Sequence, residues 1–158
     1  MSAERPPRAY IAPMSTASPP RATATGEHLF YDGECGLCHR WVLFTLKRER
    51  GRALFRYAPL QGPTFERVVP AEARAALPDS IVVRTEDGRL LVRSAAVRHV
   101  LARIGGFWGF AGFLYGLVPR FLRDWGYDCV ARVRKRLFAK PEAACPLVPR
   151  ELAQRFDP

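Results

Sequence analysis

The stretch that decides the fold runs from His28 to Trp41, HLFYDGECGLCHRW. Its first four residues, His28-Leu29-Phe30-Tyr31, form a short apolar run closed by Asp32-Gly33. A run of that length ending in a turn signal predicts a buried strand. The chain then passes through Cys35-Gly36-Leu37-Cys38-His39 into a segment predicted as helix from Leu37 to Arg50, with Leu37, Trp41, Val42, Leu43, Phe44 and Leu46 as its apolar residues. Cations in its last turn and Gly51 just beyond suit a helix C-terminus. C-x-x-C-H in this place has two chemical readings, a dithiol at a helix start or a covalent c-type haem anchor.

The sequence downstream supplies the context. Ala53–Ala58, with Phe55 and Tyr57 alternating against Arg56, predicts a second strand. Thr64–Leu77 predicts partly helical chain interrupted at Pro70. Ile81-Val82-Val83 and Leu90-Leu91-Val92, joined through Asp87-Gly88, form a hairpin pattern. Ser94 stands where an N-cap belongs, ahead of Val97, Val100, Leu101 and Ile104 at helical spacing, and Gly105-Gly106 stops that helix. The order is β-α-β-α-β-β-α, an α/β arrangement whose strand–turn–C-x-x-C–helix opening suits a thioredoxin-like redox motif.

Composition limits the remaining choices. The 158 residues carry a net charge of +10 and 48% hydrophobic residues, enough to bury a core in one domain. Four cysteines are too few for a disulfide scaffold. The excess base suits acidic surfaces, but no aromatic-interleaved nucleic-acid motif accompanies it, so no specific nucleic-acid binding is expected. Residues 1–27, with five prolines and no continuous apolar run, predict a disordered Pro/Ala/Arg-rich tail without a secretory signal, hence a cytoplasmic setting. The expected organisation is that tail, a core over 28–104, C-terminal helices over 105–140 packing on the core, and an irregular tail over 141–158.

One segment stands out within the C-terminal helices. Ile104–Pro119 is sixteen residues without a charge and with five glycines, followed by Arg120 and Arg123. It is shorter than the ~20 residues a membrane-spanning helix needs. It reads either as a buried helical hairpin capping the domain or as a face docking on a membrane surface or protein partner, extending over 104–138.

The haem reading lacks a partner for its motif histidine. Met1 and Met14 both lie upstream in the tail, and His99, the sole downstream histidine, follows Arg98 in an amphipathic helix. Zinc is weaker than the dithiol as well. Cys35 and Cys38 would need Cys129 and Cys145, which lack paired spacing, and Cys129 falls on an apolar helical face. No resident metal or other cofactor is therefore expected. For a dithiol the placement is apt: a thiolate at a helix N-terminus is stabilised by unsatisfied N–H groups, and a second cysteine one turn on can resolve a mixed disulfide. Cys35, expected to be the more exposed, is the candidate nucleophile and Cys38 the candidate resolving thiol. Asp32 reads either as a proton acceptor for Cys38 or as an Asx turn with Gly33, and His39 either as support for the thiolate or as a helix-surface residue. Cys145, in Ala144-Cys145-Pro146, is a candidate third redox thiol or a tail residue tucked on the domain.

Phe30-Tyr31-Asp32-Gly33-Glu34-Cys35-Gly36-Leu37-Cys38 resembles the signature of the DCC family of thiol-disulfide oxidoreductases. The resemblance continues through Phe55–Gln61, Ser80–Val83, Asp87-Gly88, Arg93–Val97, Val118-Pro119-Arg120, Arg134–Phe138 and Cys145–Pro149, covering about residues 28–156. It implies a thioredoxin-like sheet with the dithiol on the first helix but delivers no substrate; a protein or small-molecule disulfide is the partner expected of the dithiol itself. Better-known thioredoxin relatives place a cis-proline before the hairpin as a substrate-binding wall. Here Pro78 lies three residues ahead of Ile81 and Ser80 stands in the expected place, so either the register is shifted or Ser80 leaves that wall more open to a metal or a different substrate. By analogy with glutaredoxins, the start of the Ser94 helix is a candidate site for a glutathione carboxylate. The rival to an enzyme is a non-enzymatic thioredoxin-like module that docks through its Gly-rich and Arg-rich C-terminal helices.

Overall fold

The computed structural model describes residues 26–78, 80–137 and 154–158, without the side chains of 135–137. The tail to residue 25 and Cys145 fall outside the described residues. The strands are β1 (Glu27–Tyr31), β2 (Phe55–Pro59), β3 (Val82–Arg84) and β4 (Leu90–Val92). The helices are α1 (Gly36–Arg48), α2 (Pro63–Val68), α3 (Ala71–Ala76), α4 (Arg93–Ile104), α5 (Gly106–Leu117) and α6 (Arg120–Leu137). The partly helical chain expected over 64–77 forms two short helices separated at Pro70, which cannot continue the first.

The four strands form one sheet in the order β2-β1-β3-β4. β1 runs parallel to β2, with Leu29 opposite Tyr57, and antiparallel to β3, with Leu29 opposite Val83. β3 and β4 form the expected hairpin. Gly88 takes φ +82 at its turn and donates to the Thr85 carbonyl at 2.9 Å. An L side chain there is strained, which is why glycine follows Asp87. With its helices, this sheet is a thioredoxin-like α/β fold carrying an added helical C-terminal segment.

The two-residue period of β1 divides the core. Leu29 and Tyr31 face one side with Cys35, Cys38, Val42, Phe55, Val83 and Val100, packing α1 and α4 on the sheet. Phe30 faces the other side with Phe65, Val69 and Ala73, where α2 and α3 lie. The dithiol therefore sits at the top of the first layer, where β1 delivers the chain into α1.

The last residues reach back to the sheet. Phe156 makes a parallel bridge with Tyr57, whose N–H donates to the Arg155 carbonyl and whose carbonyl accepts from the Asp157 N–H, both at 2.8 Å. Arg56 pairs with Asp157, and Arg155 pairs with Glu49, which also accepts from the Tyr57 hydroxyl at 2.7 Å. Glu49 is fully buried, so these partners satisfy a carboxylate that would otherwise be costly inside the protein. The same contacts cover the outer edge of β2.

Gly105, with φ +74, breaks the chain between α4 and α5, so α5 folds back on α4. Gly112 is buried in that contact. No helix among the described residues is long and apolar enough to cross a membrane.

Candidate functional site

Cys35 is the N-cap residue of α1. Its backbone is extended (φ −106, ψ 111), and its Sγ accepts from the Cys38 N–H at 3.4 Å. The sulfur thus takes an amide hydrogen that the helix start leaves without an intrahelical carbonyl. Cys38 lies one turn below, so the two thiols sit side by side at the beginning of the helix, as the spacing predicts.

The exposure differs from the sequence expectation. Cys35 is only 1% exposed and Cys38 3%, so the first thiol is not the open one. Part of the cover over Cys38 comes from α6. Arg134, itself buried, directs Nη1 to Cys38 Sγ at 3.4 Å and Nη2 toward Asp32 Oδ2 at 3.7 Å. Nothing in the local sequence marks Arg134 for this position, because 96 residues separate it from Cys38. It was legible only as part of the Arg134–Phe138 block that resembles the family.

Burial is the largest influence on the Cys38 thiol, followed by the hydrogen bond and charge of Cys35. Together they push it up from 9.0 to about 12. Arg134 and a backbone hydrogen bond from Asp32 act in the opposite direction without overcoming it. In the reduced, closed state Cys38 is a protonated thiol at neutral pH.

Asp32 is buried and makes the Asx turn. Its Oδ1 accepts from the Glu34 N–H at 3.0 Å and from Gln61 Nε2 at 3.2 Å, while its carbonyl accepts from the Cys35 N–H at 3.2 Å. The carboxylate thereby holds the loop before Cys35 and keeps its other oxygen toward Arg134. His39 is buried too. Its Nε2 donates to the Gly33 carbonyl at 3.0 Å, and its ring meets Tyr31 edge-on. These contacts clamp the β1–α1 turn.

Ser80 is buried, and its hydroxyl donates to the Ile81 carbonyl at 3.2 Å. The neighbouring Ile81 N–H donates to the Tyr127 hydroxyl of α6 at 3.0 Å. Ser94 departs from its expected place. Val92 is the N-cap of α4, and Ser94 lies inside the first turn, where its hydroxyl donates to Asp124. That bond ties α4 to α6, and it sets a carboxylate close to where a glutathione carboxylate was expected.

A cavity of about 700 Å³ opens beside the dithiol, between α1 and the α5–α6 pair. Cys38, Trp41, Ile81, Trp108, Tyr127 and Arg134 belong to its walls; Cys35 does not. Access to the pair from this side therefore leads to Cys38 first, through mostly apolar surroundings. Cys129 is a half-buried free thiol on α6. Among the described residues, no three His, Cys, Asp or Glu side chains come together as a metal site.

Paired cysteines at the start of the first helix of a thioredoxin-like sheet are the arrangement that dithiol exchange chemistry uses. Residues 29–140 match the DCC1-like thiol-disulfide oxidoreductase family, and the chain belongs to that family. Over 134 residues it is 31% identical to the uncharacterized protein YuxK of Bacillus subtilis, covering 82% of this chain and 93% of the relative. Over 115 residues it is 29% identical to a chloroplastic DCC family protein of Arabidopsis thaliana, covering 73% of this chain and 66% of the plant protein's length. No solved structure gives a significant match.

Proposed function

We propose that the chain is a thiol-disulfide oxidoreductase in which Cys35 attacks and Cys38 resolves. The observation that carries the reading is the Cys35 sulfur at the N-cap of α1, accepting the Cys38 N–H. A thiolate formed there is stabilised by that amide and by the helix dipole, whereas Cys38 stays protonated until it is needed.

The Cys35 thiolate attacks one sulfur of a substrate disulfide, forming a mixed disulfide, and the other substrate sulfur leaves as a thiolate. Cys38 then loses its proton, with Asp32 as the acceptor, and attacks Cys35 Sγ. The second substrate thiol is released, and the protein holds a Cys35–Cys38 disulfide. The substrate gains two electrons, and two equivalents of a small thiol such as glutathione return the pair to the dithiol form. Because both sulfurs are buried, the residues packed around Cys35 have to move before a protein disulfide can reach it.

The test is trapping. Cys38→Ser should accumulate mixed disulfides through Cys35, resolved on non-reducing gels, and Cys35→Ser should accumulate none. Failure of Cys38→Ser to capture any substrate, together with a pair that resists oxidation in a glutathione redox titration, overturns the proposal.

A further inference from the structure

The uncharged segment between Arg103 and Arg120 has two unlike faces once folded. Two of its glycines, Gly112 and Gly116, are used inside the protein. A Cβ added at Gly112 would lie 2.9 Å from Leu101 Cβ, and one at Gly116 would lie 2.8 Å from Arg98 Nε, so this side of α5 is pressed against α4. The outward side is left with Phe107, Phe110, Leu114 and Leu117 at i, i+3, i+7 and i+10, with Phe113 beside them. Phe107 is 73% exposed, and Phe121 and Trp125 on the next helix are 72% and 65% exposed. Single exposed apolar residues are ordinary, but seven on two consecutive helices call for a partner surface.

Charge and length identify the partner. α5 contains no acidic or basic residue, and arginines border it in sequence at 103 and 120. The acids on α6 are paired with base: Asp124 lies 3.4 Å from Arg120 and Asp128 lies 3.5 Å from Arg93. The two bordering arginines are themselves paired, Arg103 with Glu27 and Glu86 and Arg120 with Asp124. But α6 carries Arg120, Arg123, Arg132, Arg134, Lys135 and Arg136 against Asp124 and Asp128, a net +4 beside the face in a chain of net charge +10. Twelve residues of helix extend about 18 Å, short of the ~30 Å hydrocarbon core, so α5 can lie in a bilayer but cannot cross it. Phenylalanine and tryptophan flanked by arginine are the residues that enter the headgroup–acyl boundary of an anionic bilayer. An acidic protein or nucleic acid matches the arginines but offers less to the aromatic face.

We propose that the outward face of α5, continued by Phe121 and Trp125 of α6, seats this protein on an anionic lipid surface without spanning it. The proposal is independent of the dithiol reading.

The test uses the full chain with vesicles of phosphatidylcholine alone or mixed with phosphatidylglycerol. Co-sedimentation with the mixed vesicles should be strong at low salt and weaken as salt rises. Each Phe→Ser change at 110 and 113 should lower partitioning at least about tenfold, and Arg120→Gln about 5-fold. These side chains are exposed, so the thermal melt should be unchanged. Absence of binding to the mixed vesicles at low salt overturns the proposal. So does binding that the double Phe variant retains in full, which would mean general attraction of a basic chain. A solution dimer that the same double variant abolishes, without any vesicle binding, would assign the face to a second copy instead.

Discussion

The dithiol end of the first layer and the outward face of α5 invert the usual placement of side chains. At the former, Asp32, His39 and Arg134 are buried around two thiols that have almost no exposure. At the latter, Phe107, Phe110, Phe113 and Leu117 stand in the open. The reactive polar groups are inside and the large apolar groups outside, and α6 contributes to both, through Arg134 to the first region and through Phe121 and Trp125 to the second. Burial at the dithiol is stabilised by specific pairing, through Arg134 to Asp32 and Cys38 and through Gln61 to Asp32. Exposure at α5 has no such compensation within the described residues. Folding stability should therefore be sensitive to small changes at the first region and indifferent to large ones at the second.

Four measurements break or sharpen that contrast. Arg134→Met should cost the most, about 3–5 kcal/mol in chemical denaturation, because it leaves the Asp32 carboxylate buried without its cation. The same variant should speed alkylation of Cys38, and an unchanged labelling rate would show that Arg134 does not cover that thiol. On the inner side of α5, Gly112→Ala should destabilise by about 1–3 kcal/mol through overpacking against Leu101. Gly109→Ala, whose added Cβ meets nothing closer than 3.9 Å, should instead gain up to about 1 kcal/mol of helix propensity.

The third measurement is alkaline stability. The folded chain holds the Cys38 thiol protonated above the pH at which the unfolded chain releases it, so its contribution is complete below 9.0 and is lost as pH climbs to about 12. Wild type should lose up to ~1.4 kcal/mol per pH unit more than Cys38→Ala across that window, and parallel curves would refute the assignment. Tyr57, raised by burial and then by the charge and hydrogen bond of Glu49, is common to both chains and cancels in the difference. The smallest effect belongs to the exposed face: Phe110→Ser should shift stability by no more than about 0.5 kcal/mol.

Much of the fold was legible because its signals are local. The apolar run before Asp32-Gly33, the Asp87-Gly88 turn and the break at Pro70 each report on a few adjacent residues, and each appears in the structure. The candidate site was legible as far as its own helix: Cys35 and Cys38 adjoin because their spacing is one turn. The cover over them was not, since it depends on Arg134 arriving from 96 residues away. Periodicity says which face of a helix is apolar, but not which neighbour will meet it. Ser94 illustrates the same limit. Its residue type suits a cap, yet Asp124, thirty residues further on, offers a charge-assisted hydrogen bond inside the first turn. The docking of Phe156 on Tyr57 joins segments about a hundred residues apart, and no pattern in the C-terminal residues announces it.

The distance along the chain between Cys38 and Arg134 also sets a timetable. A ribosome adding about 5–20 residues per second needs on the order of 5–20 s to make the 96 residues between them. Throughout that interval the first strand and helix can assemble while the arginine that shields the sulfurs has not yet been made. The newborn thiols are then more open to oxidants and to wrong disulfide partners than they will be for the rest of the protein's life. Synthesis, rather than the finished fold, is the moment at which this pair depends most on a reducing environment.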